Sequence, residues 1–309
     1  MTMRLLEKEY IQLSKLFGAC LDMVQGKGGN ISIKDSSTLI IKQSGFIMSD
    51  TDDNKGYLLC DLKKIQEKFL AKDENLLSCV VSGHGRPSME TFFHSLPPKY
   101  IVHVHPTSFM KYLCQDDLSF LLKLYPHALC IPYVQPGYDL SEVIQKVYEG
   151  QSLIFLKNHG VIFLEESLDS LLHLIFTTFD RLAQELPFLR ISDLRYIYEA
   201  VSKGMYRKPS YLLPSPCRIP QVYSYTPDYH LFLSNFDSHV TIQHGEYYIT
   251  GNSKDEVELF EQMFRSYLLC SFDISCNTIP LTQTHQLEQN PLEQQRVMVS
   301  KQLIKENKG

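Results

Sequence analysis

The chain has no tryptophan, no Cys-x-x-Cys pair and no basic run, and no apolar stretch reaches the roughly 18 residues that begin to read as a membrane span. The missing tryptophan decides nothing. The missing cysteine pairs matter more, because the eight cysteines fall singly in apolar or mixed settings such as LFGAC, YLLC and LLSCV. They read as reduced, mostly buried thiols and not as a disulfide framework. A net charge of -5 and a pI near 6.1 offer no long-range attraction to nucleic acid or an anionic membrane, so neither is an expected partner. The start, MTMRLLEKEYIQLSKLF, is charged and helix-like without a signal-peptide core, and a cytoplasmic protein is expected. No internal repeat or low-complexity tract is present.

What is present can build a full core. At 309 residues and 44% hydrophobic content, the chain exceeds a usual single domain of roughly 100–200 residues, which predicts one large domain and a smaller appendage. Residues 5–21 carry apolar positions at helical spacing and lead into the turn Gly26-Lys27-Gly28-Gly29-Asn30. ISIKD and STLIIKQSG read as a hairpin, followed by the polar turn SDTDDNKG and YLLCDL. A strand is expected over 76–81, then the turn Ser82 to Pro87 and a helical stretch SMETFFHSL. Strands are expected over 100–105 and 151–156, and helix over 166–185. Strands and helices interleave without a regular βαβ repeat, which favours a layered α/β domain over a doubly wound nucleotide-binding sheet. Four prolines in KPSYLLPSPCRIP mark 208–220 as a linker. Beyond it, HLFLSNF, HVTIQ and YYITG read as strands with His244-Gly245 as a turn, and DEVELFEQMFRSYLL as an amphipathic helix.

Chemistry concentrates in three histidines. In His103-Val104-His105 the imidazoles stand at i and i+2, so a strand turns both to one face, where they can grip one ion. His159 follows an apolar strand and sits in a turn between Asn158 and Gly160. Three neutral nitrogen ligands with an open fourth position describe a catalytic rather than a structural zinc site. Glu90, thirteen residues before His103, supplies a carboxylate within plausible reach. Taken alone, an HxH pair is weak, since such pairs arise by chance in many proteins. His84, His94, His127, His173, His230, His239, His244 and His285 read as surface or structural residues.

Five motifs in order, Gly29-Asn30-Ile31-Ser32, Ser44-Gly45, Arg86-Pro87-Ser88-Met89-Glu90-Thr91, His103-Val104-His105-Pro106 and Asn158-His159-Gly160, resemble the class II aldolase/adducin family over about residues 5–186. The resemblance implies that His103, His105 and His159 bind Zn2+, that Glu90 is the acid/base, and that Asn30, Ser44, Gly45 and Ser88 line the loops holding a substrate phosphate. Turn backbones and short hydroxyls are the groups that form anion nests, although they are also ordinary turn chemistry. Met89 departs from the family pattern: fuculose-type aldolases carry a second serine there, so a different substrate is expected. The family's proton-donating tyrosine comes from a neighbouring subunit. Tyr112, Tyr125, Tyr133 and Tyr138 all lie in the plausible stretch, and none fits uniquely.

The resemblance further implies a lyase that makes or breaks a carbon–carbon bond in a hydroxyketone, a sugar or sugar phosphate, with zinc as electron sink and Glu90 as proton carrier. Epimerisation, dehydration or decarboxylation on the same zinc site stays open. So do a metal-free interaction module like the adducin head and a sensor that binds a sugar without turnover. A homo-oligomer, a tetramer, is expected from the family's shared active sites. The expected fold is α/β: a layered α-β-α domain with a mixed, largely antiparallel central sheet over residues 1–207, the 208–220 linker, and a small α+β extension over 221–309.

Overall fold

The computed structural model describes residues 3–20, 22–185, 240–243, 246–249 and 281–294, with Glu256, Val257, Leu259, Phe260, Gln262 and Met263. The first element, α1 (Met3–Ala19), buries Leu6, Tyr10, Leu13 and Phe17, a stripe at helical spacing. A meander follows: β1 (Asn30–Lys34), β2 (Thr38–Lys42) and β3 (Tyr57–Asp61), each antiparallel to the next. From β3 the chain turns straight into α2 (Leu62–Leu70), because the Asp61 carboxylate accepts the Lys64 N–H at 3.0 Å and caps the new helix. Then come β4 (Val80–Ser82), β5 (Tyr100–Val104), α3 (Thr107–Leu113), α4 (Ser119–Leu124) and β6 (Leu129–Ile131). After these come α5 (Tyr138–Val147), β7 (Leu153–Leu156), β8 (Gly160–Glu165) and α6 (Leu168–Glu185).

Eight strands form one sheet in the order β4-β3-β2-β1-β5-β8-β7-β6. Every pairing is antiparallel except that of β6 with β7. The expected layered domain with a mixed, largely antiparallel sheet is therefore the observed one. Strand alternation divides the core. Ile31, Ile33, Val102, Val104, Val161 and Phe163 pack with Phe17 of α1, Phe109 of α3 and Phe179 of α6. On the opposite face Ile101, Ile154 and Ile162 meet Phe93, Leu140 and Ile144, while Leu39, Ile41 and Leu58 meet Ile65 and Phe92. His103 alternates with Val102 and Val104, so it shares the second face with Ile101, and on the neighbouring β1 so do Asn30 and Ser32.

Two local expectations change. SMETFFHSL is not an α-helix but a chain of tight turns ending in a 3-10 turn, Phe93–Ser95. Side chains compete with helical bonding there: the Ser88 Oγ accepts the Glu90 N–H at 3.3 Å, and the Ser95 Oγ donates to the Phe92 carbonyl at 2.7 Å. Phe92 and Phe93 also enter different clusters, which one helical face does not allow. The stretch 76–81 begins as a 3-10 turn, Leu77–Cys79, initiated where Asn75 Oδ1 accepts the Leu77 N–H, and only β4 is strand. Cys20, Cys60, Cys79 and Cys114 are buried thiols, and Cys130 is half-buried. Further along, β9 (Val240–Gln243) and β10 (Glu246–Ile249) pair antiparallel with Gln243 opposite Glu246, and α7 spans Leu281–Gln289. HLFLSNF, the 208–220 linker and His244-Gly245 lie outside the described residues.

Lys34 ties the site-bearing segment to the sheet. It is 5% exposed, and its Nζ donates to the His94 carbonyl at 2.9 Å. Burial pushes its pKa down from 10.5 to about 7, with Glu166 opposing the shift. Between these values the unfolded chain keeps a proton that the folded chain sheds, so stability rises with pH across the window, by at most about 1.4 kcal/mol per pH unit. Below the folded value both states are protonated and the cost of the buried charge is fully present. Urea midpoints measured at about pH 7 and about pH 9 should therefore differ less in Lys34→Met than in the wild type. An unchanged difference would refute this role.

Candidate metal centre

His103 lies on β5, directly across from Asn30 of β1 on one side and Ile162 of β8 on the other. His105 comes just past the end of β5, where its backbone N–H bonds the Met23 carbonyl at 2.9 Å and carries the strand direction one step further. The i, i+2 pair thus stays on one face. His159 sits in the turn from β7 to β8, its N–H bonded to the Leu156 carbonyl at 3.1 Å. Asn158 before it takes a left-handed φ of 55°, which asparagine tolerates better than most residues. Gly160 after it is required by space: a Cβ there would stand 2.5 Å from the Val104 carbonyl oxygen and 2.8 Å from His105 Cδ2. The Asn-His-Gly run is therefore a device for bringing one hairpin turn against two histidines.

All three imidazoles are buried, at 0%, 7% and 4% exposure for His103, His105 and His159. One nitrogen from each lies within 4.8 Å of the others, and His103 Nε2 is 3.0 Å from His105 Nε2. Tetrahedral zinc with bonds of about 2.0–2.1 Å separates its ligand nitrogens by roughly 3.3 Å, so small adjustments bring this set to the geometry of a bound ion. His103 Nδ1 faces the Val161 carbonyl at 3.1 Å, which makes Nδ1 the protonated nitrogen and leaves the Nε2 lone pair turned into the cluster. Among the described residues no other trio of histidine, cysteine or acidic side chains is so arranged.

Glu90 completes the cluster at 6% exposure. Its Oε1 lies 3.4 Å from His159 Nε2 and its Oε2 3.5 Å from His103 Nε2. Oε2 accepts the Asn30 Nδ2 hydrogen bond at 2.7 Å, whereas Oε1 has no hydrogen-bond partner among the described residues. The other end of the Asn30 amide meets His94 Nε2. Asn30, read from the sequence as part of a phosphate loop, thus has its side chain engaged with Glu90 and His94. His94 is fully buried, and desolvation first, with Lys34 and His103 second, drives its pKa well below the ordinary value.

The remaining loop residues lie on or against the turn that carries Arg86 and Ser88. Ser44 accepts the Arg86 Nη2 hydrogen bond on its Oγ at 3.2 Å and donates its own N–H to the Arg86 carbonyl at 2.8 Å. Gly45 has a φ of 75°. Ser88 is 7% exposed and bonded to the Glu90 backbone. Arg86 Nη2 also reaches the Leu292 carbonyl at 3.3 Å, and Gln262 Oε1 accepts the Gly26 N–H at 2.8 Å, so the C-terminal part of the chain touches both loops. Sequence reasoning does not single out Arg86 as a charge at this loop. Its position just before Pro87-Ser88 is the available signal. Among the tyrosines, Tyr125 Oη bonds the Thr178 carbonyl, Tyr112 stacks on Phe120, and Tyr138 packs with Phe69 and Phe92. Tyr133 Oη is buried without a hydrogen-bond partner among the described residues, and burial, followed by the Glu293 carboxylate beside it, raises its pKa.

No helix among the described residues is long and apolar enough to cross a membrane. Residues 8–185 match the family model described as the class II aldolase and adducin N-terminal domain. A Bacillus subtilis (strain 168) protein described as the uncharacterized oxidoreductase YuxG is 26% identical over 177 residues, 50% of this chain and 26% of its own length. The chain thus spans about a quarter of that curated relative. The N-terminal class II aldolase domain of a conserved protein from Thermoplasma acidophilum superposes with a TM-score of 0.51 at 24% identity, covering 58% of this chain and 92% of that one. An L-fuculose 1-phosphate aldolase aligns at a TM-score of 0.45 and 18% identity, over 65% of this chain and 98% of its own. With the family model covering well over half its length, and a mixed sheet carrying a three-histidine cluster, the chain belongs to the class II aldolase and adducin N-terminal domain family.

Proposed function

We propose that the protein is a zinc-dependent aldolase-type lyase acting on a hydroxyketone, a sugar phosphate in the first instance. The carrying observation is the meeting of three histidine nitrogens with Glu90, whose Oε1 stands 3.4 Å from His159 Nε2 with no hydrogen bond of its own among the described residues. His103, His105 and His159 would hold the ion, which when bound supplies a Lewis acid for a substrate oxygen. Glu90 Oε1 is the atom that takes the proton from, or returns it to, the carbon next to the carbonyl. Oε2 stays tied to Asn30, which fixes the carboxylate plane and leaves Oε1 to do the transfer. Burial of all four side chains keeps bulk water from competing for that proton.

Arg86 beside Ser44 and Gly45 supports an anionic end to the substrate, since a guanidinium forks onto phosphate or carboxylate oxygens. A metal-free interaction module has no use for a histidine trio with a carboxylate against it. In this reading the enzyme works in the cytoplasm as a homo-oligomer, a tetramer, on a small-molecule substrate.

The test is proton exchange. Zinc-loaded protein in D2O is expected to wash deuterium into dihydroxyacetone phosphate, and to a lesser extent into dihydroxyacetone, and to release a hydroxyketone of this kind from a panel of ketose phosphates. Exchange without cleavage would move the reading to epimerisation, dehydration or decarboxylation. The absence of both exchange and cleavage would overturn it.

A further inference from the structure

We propose that His94 is a positioning residue for Glu90, acting through Asn30. This rests on the reading of Glu90 as the proton carrier. The Glu90 carboxylate accepts, so the Asn30 group facing its Oε2 at 2.7 Å is the amide Nδ2–H. Asn30 then presents its carbonyl Oδ1 to His94, and the His94 nitrogen there, Nε2, has to be the protonated one. A neutral ring protonated at Nε2 has a lone pair at Nδ1, and the Ser32 hydroxyl, 2.7 Å away, donates to it. One direction runs through the whole chain: Ser32 Oγ–H to His94 Nδ1, His94 Nε2–H to Asn30 Oδ1, Asn30 Nδ2–H to Glu90 Oε2.

Reversing any link would turn the Asn30 carbonyl toward the Glu90 carboxylate, acceptor against acceptor. Both the backbone and the ring of His94 have further contacts. Lys34 Nζ bonds the His94 carbonyl at 2.9 Å, and the Phe93 ring stacks on the imidazole at 4.6 Å. His94 lies behind Asn30 and is wholly buried, so it does not touch substrate. An amide in the middle also makes the chain a poor proton wire, since Asn30 would have to pass through an imidic acid. The role is orientation: the chain commits Oε2 and leaves Oε1 as the atom that transfers.

The first readout needs no substrate. In the full-length, zinc-loaded protein with 15N-labelled histidine, His94 should appear as a single neutral tautomer, pyrrole-like at Nε2 and pyridine-like at Nδ1, its signals identified by their loss in His94→Phe. The Asn30 side-chain amide, identified by its loss in Asn30→Ala, should show one proton strongly protected from solvent. That protection should vanish in His94→Phe and survive in His94→Gln, whose side-chain amide can still donate to Oδ1. The opposite tautomer, or an Asn30 amide unchanged in His94→Phe, would overturn the proposal. The second readout is deuterium exchange into dihydroxyacetone phosphate. A misplacement of about 1 Å costs about 10²-fold, so kcat in His94→Phe should fall by that order with KM and zinc content unchanged, and His94→Gln should recover most of it. Equal loss in both variants with parallel loss of thermal stability would mean that His94 only fills the core, and would overturn the proposal. A wild type that exchanges no probe would instead defeat the reading of Glu90, while the NMR outcomes still decide whether His94 orients Asn30.

Discussion

Glu90→Gln is expected to abolish most turnover, by about 10²–10⁴-fold, while leaving fold and metal content intact. An amide cannot take up the proton that a carboxylate carries. The change is nearly isosteric, and the carbonyl of the new side chain can still accept the Asn30 Nδ2 hydrogen bond now made to Oε2. Its NH2 would stand where Oε1 is, 3.4 Å from His159 Nε2, without displacing any of the three histidines. A bland reading of Glu90 as a solvated carboxylate at a helix start predicts almost no effect, but the residue is 6% exposed and the segment around it is not an α-helix. Rates of dihydroxyacetone phosphate exchange, measured with zinc content and circular dichroism on the same samples, check this. Activity within about tenfold of wild type, short of the range for general acid–base catalysis, would show that Glu90 is not the proton carrier.

Much of this arrangement is legible in the sequence. The HxH spacing needs only the two-residue period of a strand, and β5 supplies it, with His103 inside the strand and His105 one residue past its end. Asn158-His159-Gly160 reads as a turn, and it is one, for reasons of φ at Asn158 and of space at Gly160. The long amphipathic stripes of α1 and α6 are visible as periodicity. Elements of six and seven residues such as α4 and α3 are too short for a period to declare itself.

The polar chain behind Glu90 is harder to see, and β1 explains why. Asn30-Ile31-Ser32-Ile33-Lys34 alternates as a half-solvated strand would, yet every position is buried. The polar face is covered by the segment carrying His94, and it serves that segment: Asn30 and Ser32 bond its imidazole, and Lys34 bonds its carbonyl. Which partner covers a strand face is a tertiary fact with no local signature. SMETFFHSL misleads for a related reason, since its apolar residues are destined for separate clusters and its hydroxyls bond the nearby backbone.

The three-histidine centre is the claim on which the rest depends, and its metal content is the most direct measurement of it. Full-length protein purified without chelator should contain close to one zinc per chain by elemental analysis, because three imidazole nitrogens within 4.8 Å leave a fourth position open and together bind divalent zinc strongly. His105→Ala, which removes one ligand from the edge of the cluster, should lose most of that zinc without unfolding, since the Met23 bond to its backbone N–H does not involve the side chain. Stoichiometric zinc in the wild type and its loss in the variant are the predicted results. Negligible metal in the wild type, with none taken up when zinc is added, would contradict the centre and with it the enzymatic reading.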